Sequence, residues 1–275
     1  MLDVRRGCRT RFGCLLVAVI IIGGELAGLE VLTTTQPQWY RALEARLGLV
    51  VPQAHIPSTV RSKLIARGRA DQGSIVTVKA QPCGANPPTF MGTGWPVDFA
   101  RGAGVGQVDI VTAAHVVWRA CHITVETSGG RTLKAQILGL DLQREDLALL
   151  SVPGLVQVPF RVATAPVTPG AVVVAVWSPL NPWAAGHATI TVTSIAGVAT
   201  LRLTVGVSAV PPITARGRLV LWAPEYPGAS GAPVFNAQGR VIGVVEGGGP
   251  PGSPGSTAIP VVAGLSELRA WSQAA

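Results

Sequence analysis

Aromatic residues make up only 5% of the 275-residue sequence and charged residues only 13%, whereas 48% of the residues are hydrophobic. A chain this poor in charge is not intrinsically disordered, because disordered chains combine low hydrophobicity with high net charge. No segment recurs at a fixed period, which excludes solenoids and propellers. The 33 Gly and 22 Pro also lack a period, which excludes collagen and favours short strands joined by tight turns. The composition therefore predicts an all-β fold.

Acidic residues are scarce as well, and the net charge is +8. Ten of the 22 Lys and Arg, but only four of the 14 Asp and Glu, fall within residues 1–70, so twelve basic residues face ten acidic ones in the remainder. A nucleic-acid-binding domain needs a basic face of its own, and this nearly neutral remainder does not provide one. Nucleic acid is therefore not an expected partner. The His and Cys residues show no metal-ligand spacing, so no metal or cofactor is expected either.

An apolar run at residues 14–24 follows four arginines, which is the pattern of an export signal with a cytoplasmic N-terminus. The run alone is shorter than the roughly 20 residues that cross a bilayer, but it reaches that length over 13–32 if Glu25 and Glu30 are included. No small-x-small cleavage site stands out after it, which favours a signal anchor over a removed signal peptide. The predicted organisation is a cytoplasmic basic N-terminus at 1–12, the anchor or signal peptide at 13–32, a stalk at 33–72 and an exported domain at 73–268.

Three short motifs in the exported domain carry residues suited to nucleophilic catalysis. His115 follows an apolar strand in TAAHVV, where its imidazole can act as a general base. Asp146 opens the apolar strand DLALL, and a carboxylate there needs a buried partner such as an imidazole. Ser230 lies in PGASGAPVF, where flanking glycines permit a tight turn that directs the amides of Gly228 and Ser230 to one point, an oxyanion hole. Each residue taken singly also has a structural explanation, so the combination carries the prediction.

TAAHV, DLALL and GxSGxPV, in this order, resemble the motifs of trypsin-like serine peptidases of chymotrypsin fold, most closely the bacterial HtrA-type branch. The resemblance extends over residues 73–268 and includes GTGW at 92–95, VVVAVWSP at 172–179 and AIPV at 258–261. It implies two six-stranded antiparallel β-barrels, at 73–160 and 161–268, with the histidine and aspartate on the first and the serine on the second. It also implies that Ser230 attacks a peptide carbonyl, that His115 takes the proton and that Asp146 orients the imidazole.

The sequence departs from this family at three points. Ala229 replaces the Asn or Asp that commonly precedes the nucleophile, so activation by a newly cleaved N-terminus is not expected. Ala232 stands where glycine is usual. The sequence ends shortly after the catalytic domain, without the PDZ module that HtrA-type proteins append, so activation through PDZ domains is not expected.

The resemblance further implies which residues bind the substrate. The strand behind the nucleophile should pair with the substrate backbone, and the residues before the oxyanion turn should line the primary pocket. These residues are Trp222, Pro224, Val244, Val245 and Glu246. No carboxylate is expected at the base of the pocket, which favours an apolar or small side chain over Lys or Arg, unless Glu225 or Glu246 points inward.

Cys83 and Cys121 lie on either side of His115 in the exported domain. They form either a disulfide, which export would permit, or two unpaired buried thiols, and the sequence leaves both open.

The function predicted from these observations is a membrane-anchored serine endopeptidase that cleaves exported or envelope proteins. One alternative is a catalytically idle protein of the same fold that binds or scaffolds a partner. Another is a hydrolase of esters or other acyl groups, which would share the chemistry but not the substrate.

Overall fold

The computed structural model describes residues 53–84, 89–99, 108–177, 188–203, 213–223, 228–248 and 256–274. The anchor or signal peptide predicted at 13–32, most of the stalk and Pro224 lie outside these residues. Over the described ranges, no helix is long and apolar enough to cross a membrane.

Two closed antiparallel β-barrels of six strands each form the fold, which confirms the predicted fold class. The first barrel has the strand order β1-β2-β3-β6-β5-β4. Its strands are β1 (Val76–Pro82), β2 (Phe90–Val97), β3 (Asp109–Ala113), β4 (Ala120–Thr127), β5 (Thr132–Asp141) and β6 (Leu147–Ser151). Strand β1 buries alternate residues, as a strand with one face in a barrel core does. Strands β3 and β6 are buried on both faces, which explains their continuous apolar sequence.

The second barrel has the strand order β7-β8-β9-β12-β11-β10. Its strands are β7 (Val172–Trp177), β8 (Thr189–Leu203), β9 (Ile213–Leu221), β10 (Pro233–Phe235), β11 (Val241–Gly248) and β12 (Ser256–Pro260). Trp95 of the first barrel and Phe235 of the second are fully buried on either side of Phe160, in the connection between the barrels. The ring centroids are 6.3 Å apart for Trp95 and Phe160 and 5.0 Å apart for Phe160 and Phe235. This aromatic contact fills the interface between the barrels.

Helices at both ends of the described chain pack on the barrel more distant in sequence. Helix α1 (Ser58–Asp71), which a short 3-10 turn at Gln72–Ser74 connects to the first barrel, lies against β7 and β8 of the second. A Cβ on its Gly68 would come within 2.9 Å of Ile190, so glycine permits the close approach. The described helix of the predicted stalk is thus packed on the second barrel.

The short helix α2 (Ala114–Val117) follows β3, and the C-terminal helix α3 (Val261–Ala274) returns to β5 and β6. The Trp271 ring of α3 lies over Gly139, only 2.0 Å from where a Cβ would be. The buried Ser272 hydroxyl donates a hydrogen bond to Asp109 Oδ2 at 2.8 Å. A disulfide joins Cys83 to Cys121, the disulfide alternative left open by the sequence, with a Cα–Cα distance of 5.1 Å.

Candidate active site

His115 and Asp146 are joined by two hydrogen bonds. The backbone N–H of His115 donates to Asp146 Oδ1 at 2.8 Å, and ring Nδ1 lies 2.7 Å from Asp146 Oδ2. The Asp146 side chain is completely buried, and that of His115 is 9% exposed. An ionised carboxylate is an acceptor only, so Asp146 in that form selects the neutral imidazole with its proton on Nδ1 and its lone pair on Nε2. This is the tautomer that a general base needs.

The backbone of Asp146 adopts a left-handed conformation, with φ of +50°. This region costs an L-residue roughly 1–2 kcal/mol, although Asp tolerates it better than most. The Asp146 carbonyl accepts a hydrogen bond from the Ala114 N–H at 2.9 Å, so the backbone as well as the side chain is held to helix α2. Strain of this kind persists only where surrounding contacts fix it, and such positions concentrate at active sites.

Ser230 lies in a turn bounded by two glycines of positive φ, +90° at Gly228 and +88° at Gly231. The Ser230 hydroxyl is half-buried and donates to the Glu246 carbonyl at 3.4 Å. The Gly231 N–H donates to the Val245 carbonyl at 2.7 Å. Within the described residues, the N–H groups of Gly228 and Ser230 have no backbone acceptor. These are the two amides that the sequence assigns to an oxyanion hole.

Thr93 of β2 connects the first barrel to this turn. Its N–H donates to the Ser230 carbonyl at 2.8 Å, and its hydroxyl donates to the Gly228 carbonyl at 2.6 Å. A Cβ on the adjacent Gly92 would lie 2.8 Å from the Ser230 carbonyl oxygen and 2.7 Å from a Val116 methyl. The turn that bears Ser230 therefore lies within a few ångströms of Val116, the residue after His115. Sequence analysis noted the GTGW motif but did not assign this role to Thr93.

A model of trypsin-like peptidase domains matches residues 92–244, more than half of the chain. The chain belongs to this family. The match includes His115, Asp146 and Ser230, and it confirms the resemblance to trypsin-like peptidases on which the sequence analysis relied. No curated protein sequence matches the chain significantly.

The trypsin-like domain is similar in structure to the Rv3671c protease of Mycobacterium tuberculosis. The active form of that protease is 25% identical, with a TM-score of 0.61 over 78% of this chain and 87% of that one. A serine-to-alanine mutant in an inactive form is 25% identical, with a TM-score of 0.58 over 80% and 98% of the two chains. Another inactive form is 26% identical, with a TM-score of 0.56 over 79% and 99%.

The residues predicted to bind substrate in this trypsin-like domain differ in their burial and in their hydrogen-bond partners. Val244 and Val245 are buried in the hydrophobic core, so their side chains are not available to a substrate. Both backbone polar groups of Val245 are also engaged, by Gly231 and Ala232. The Glu246 carbonyl accepts a hydrogen bond from the Ser230 hydroxyl. It is thus the first backbone group of this strand that faces the Ser230 side chain. The predicted pairing of this strand with the substrate backbone remains a prediction for Glu246 and the residues that follow it.

The Glu246 side chain is buried and bound by Arg218. It is 3% exposed and forms a buried ion pair with Arg218, with 2.9 Å between Arg218 Nε and Glu246 Oε2. Burial raises the pKa of Glu246 from its usual 4.5 to about 7, although the neighbouring Arg218 charge opposes the rise. The nearby Asp146 charge also raises the pKa of Glu246, and His115 lowers it.

Trp222 is half-buried, and its backbone is fixed against β8. Its N–H donates to the Ser194 carbonyl at 3.0 Å, and its carbonyl accepts from the Thr193 hydroxyl at 2.5 Å. No group of three His, Cys, Asp or Glu side chains able to hold a metal ion occurs in the described part of the chain.

Proposed function

We propose that the chain is a serine endopeptidase with the triad His115, Asp146 and Ser230. The observation that carries the proposal is the double hydrogen bond from His115 to Asp146, which holds the imidazole in the tautomer of a general base. A buried carboxylate of purely structural use does not need both its oxygens directed at one histidine. The membership in the trypsin-like peptidase family supports the same assignment.

In the proposed reaction, His115 Nε2 takes the proton of the Ser230 hydroxyl as its oxygen attacks the substrate carbonyl. Asp146 then stabilises the imidazolium, which returns the proton to the leaving amine and leaves the acyl group on Ser230. Water, deprotonated by the same imidazole, then hydrolyses this acyl-enzyme and restores the Ser230 hydroxyl. The Gly228 and Ser230 amides donate to the oxyanion of the tetrahedral intermediate. Thr93 supports this role, since it binds the backbone carbonyls of Gly228 and Ser230, the two residues whose amides the proposal uses.

The proposed substrate is a polypeptide with an apolar or small residue before the scissile bond. The Glu246 carboxylate is bound by Arg218 and so does not offer a counter-charge to Lys or Arg of a substrate. The half-buried Trp222, which precedes the Ser230 turn in the sequence, offers apolar surface on the second barrel. Peptide substrates that differ only in this residue test the proposal, and a preference for Lys or Arg would contradict it.

We also propose that residues 13–32 anchor the chain in a membrane with residues 73–268 outside the cytoplasm. The disulfide between Cys83 and Cys121 supports exposure to an oxidising compartment, because cytoplasmic thiols are kept reduced. Protease accessibility of the domain in intact cells, combined with carbonate extraction of membranes, tests both parts. A domain that is inaccessible from outside would contradict the proposed topology.

Labelling with a fluorophosphonate tests the proposed catalytic function, because only an activated serine reacts with it. We expect the full chain to be labelled and the Ser230→Ala and His115→Ala variants to remain unlabelled. Ser266→Ala is the matched control, since Ser266 is an exposed serine on α3 and its loss should not reduce labelling.

The same preparation separates the alternatives. Labelling with cleavage of an unfolded protein supports the endopeptidase, and labelling with turnover of esters alone supports the ester hydrolase. A folded wild-type chain that is never labelled would contradict the proposal and favour the idle binding protein.

A further inference from the structure

A buried arginine, Arg218 on β9, lies between the two barrels and is completely inaccessible to solvent. Its guanidinium binds the Glu246 carboxylate through Nε at 2.9 Å and through a terminal nitrogen at 3.2 Å. The other terminal nitrogen binds Glu145 Oε2 at 3.0 Å. A further bond of 3.0 Å goes to the Arg144 carbonyl. Four hydrogen bonds therefore fix the plane of the guanidinium.

The partners of Arg218 belong to different barrels. Glu246 is on β11 of the second barrel, as Arg218 itself is on β9. Arg144 and Glu145 belong to the turn between β5 and β6 of the first barrel. Glu145 immediately precedes Asp146, so the guanidinium holds a side chain one residue away and a backbone carbonyl two residues away from the acid of the proposed triad.

Burial of an arginine is costly, and a buried ion pair adds little net stability over apolar side chains of similar size. A buried arginine is better explained by the positions in which it holds its hydrogen-bond partners. The turn that it holds leads into the left-handed conformation of Asp146, which persists only if neighbouring contacts maintain it. Arginine suits this task because its planar fork binds a carboxylate and a second acceptor at fixed angles.

We propose that Arg218 is a positioning residue, which holds the Glu145 turn against the second barrel and so keeps Asp146 in place to orient His115. The inference rests on the proposed peptidase function, but its structural part concerns only the hydrogen bond between His115 and Asp146. Arg218 also balances the negative charge of the Glu246 carboxylate. Without Arg218, this charge would be unpaired and would lie near the charge of Asp146.

The proposal is tested with Arg218→Met, which keeps the length of the side chain but removes the fork. Because this change leaves Glu246 buried without a partner, the double variant Arg218→Met/Glu246→Gln removes the orphan charge and keeps the test valid if the single variant does not fold. Glu145→Ala removes one contact at a half-buried position. Arg240→Met is the control for the same replacement, because Arg240 is an exposed arginine in the turn between β10 and β11.

Two readouts distinguish positioning from folding. The first is the proton resonance of His115 Nδ1 in protein with isotope-labelled histidine, assigned by its absence from His115→Ala. The second is the split between kcat and KM with a peptide substrate. Positioning through Asp146 predicts that the resonance shifts or disappears in the double variant and that kcat falls by about tenfold to a hundredfold with little change in KM. Glu145→Ala should change both in the same direction by less.

A folded double variant with the wild-type resonance and kcat would overturn the proposal for Arg218. In that case labelling of the wild type by fluorophosphonate would leave the peptidase function intact. If the wild type is not labelled, the peptidase function fails. The His115 resonance then still decides whether Arg218 holds the Asp146 turn.

Discussion

Replacement of Gly231 by alanine should displace the turn that bears Ser230 and so lower the reactivity of the Ser230 hydroxyl. A Cβ on Gly231 would lie 2.1 Å from the Thr93 carbonyl oxygen, 2.5 Å from the Thr112 hydroxyl and 3.1 Å from the Ala113 nitrogen. Two of these three neighbours are backbone atoms, which cannot move aside as the end of a flexible side chain can. An ordinary contact would require the turn to shift by about 1 Å, and a shift of that size can lower a catalysed rate about a hundredfold.

Gly170→Ala is the matched control for Gly231→Ala. Gly170 has φ of +83°, close to the +88° of Gly231, but a Cβ there would meet no atom within 4 Å. Both variants should therefore lose roughly 1–2 kcal/mol of unfolding free energy through the left-handed backbone alone. Only Gly231→Ala should lose more, because of the clash, and only this variant should lose the reactivity of Ser230.

Urea unfolding and the rate of fluorophosphonate labelling measure the two effects on the same full-length proteins. We expect Gly170→Ala to label at the wild-type rate and Gly231→Ala to label at least about tenfold more slowly while still folded. Equal losses of unfolding free energy and equal labelling rates in the two variants would refute the argument that packing against Thr93 fixes the turn.

Three further predictions concern the acid, the buried carboxyl and the disulfide. Asp146→Asn should lower kcat by about 10⁴, the loss in the general serine-protease template, whereas Asp141→Asn should leave it nearly unchanged. Similar losses in both would show that the acid is wrongly assigned. The raised pKa of Glu246 stabilises the fold below pH 4.5, and this contribution is lost as the pH rises through about 7. Urea unfolding across this range should therefore show a fall of about 3 kcal/mol that is absent from Glu246→Gln, and an unchanged fall in that variant would contradict the assignment. Joint replacement of Cys83 and Cys121 by serine should lower the free energy of unfolding by up to about 4 kcal/mol, as expected for opening a 38-residue loop, and an unchanged value in urea unfolding would argue against the bond.

The residues of the proposed triad could be singled out in the sequence because each lies in a local motif with its own physical signature. His115 follows a buried strand, Asp146 opens one, and Ser230 lies between glycines. The amino acids that hold these residues in place have no such signature. Thr93 contacts Gly228 at a sequence separation of 135, so no local pattern relates the two.

Strands β2 and β12 were not recognised as strands in the sequence, for physical reasons. Sequence analysis named parts of β2 and β12 only as the motifs GTGW and AIPV. Two glycines and a proline interrupt β2, and β12 has only five residues and ends in proline. In β2 the glycines are required by close packing: a Cβ on Gly94 would lie 2.6 Å from Ile110 and 2.9 Å from Val78. Composition alone cannot distinguish a glycine that breaks a strand from one that lets two strands approach.

Helix α1 was also missed, because its sequence lacks an apolar stripe. It is basic, it follows a proline, and only Leu64 and Gly68 are buried within it. A helix that attaches through one leucine and one glycine gives little periodic signal. Its position on β7 and β8 could be learned only from the fold.

Through Thr93 and Arg218, each barrel binds the turn of the other that carries or precedes a residue of the proposed triad. Thr93 of the first barrel binds the turn that bears Ser230 on the second, and Arg218 of the second binds the turn that precedes Asp146 on the first. The proposed site is therefore intact only when both reciprocal contacts are made. It follows that a small displacement between the barrels must disturb the nucleophile turn and the acid together, before either barrel unfolds. Loss of reactivity at lower urea concentration than loss of tertiary structure is the expected signature of this arrangement.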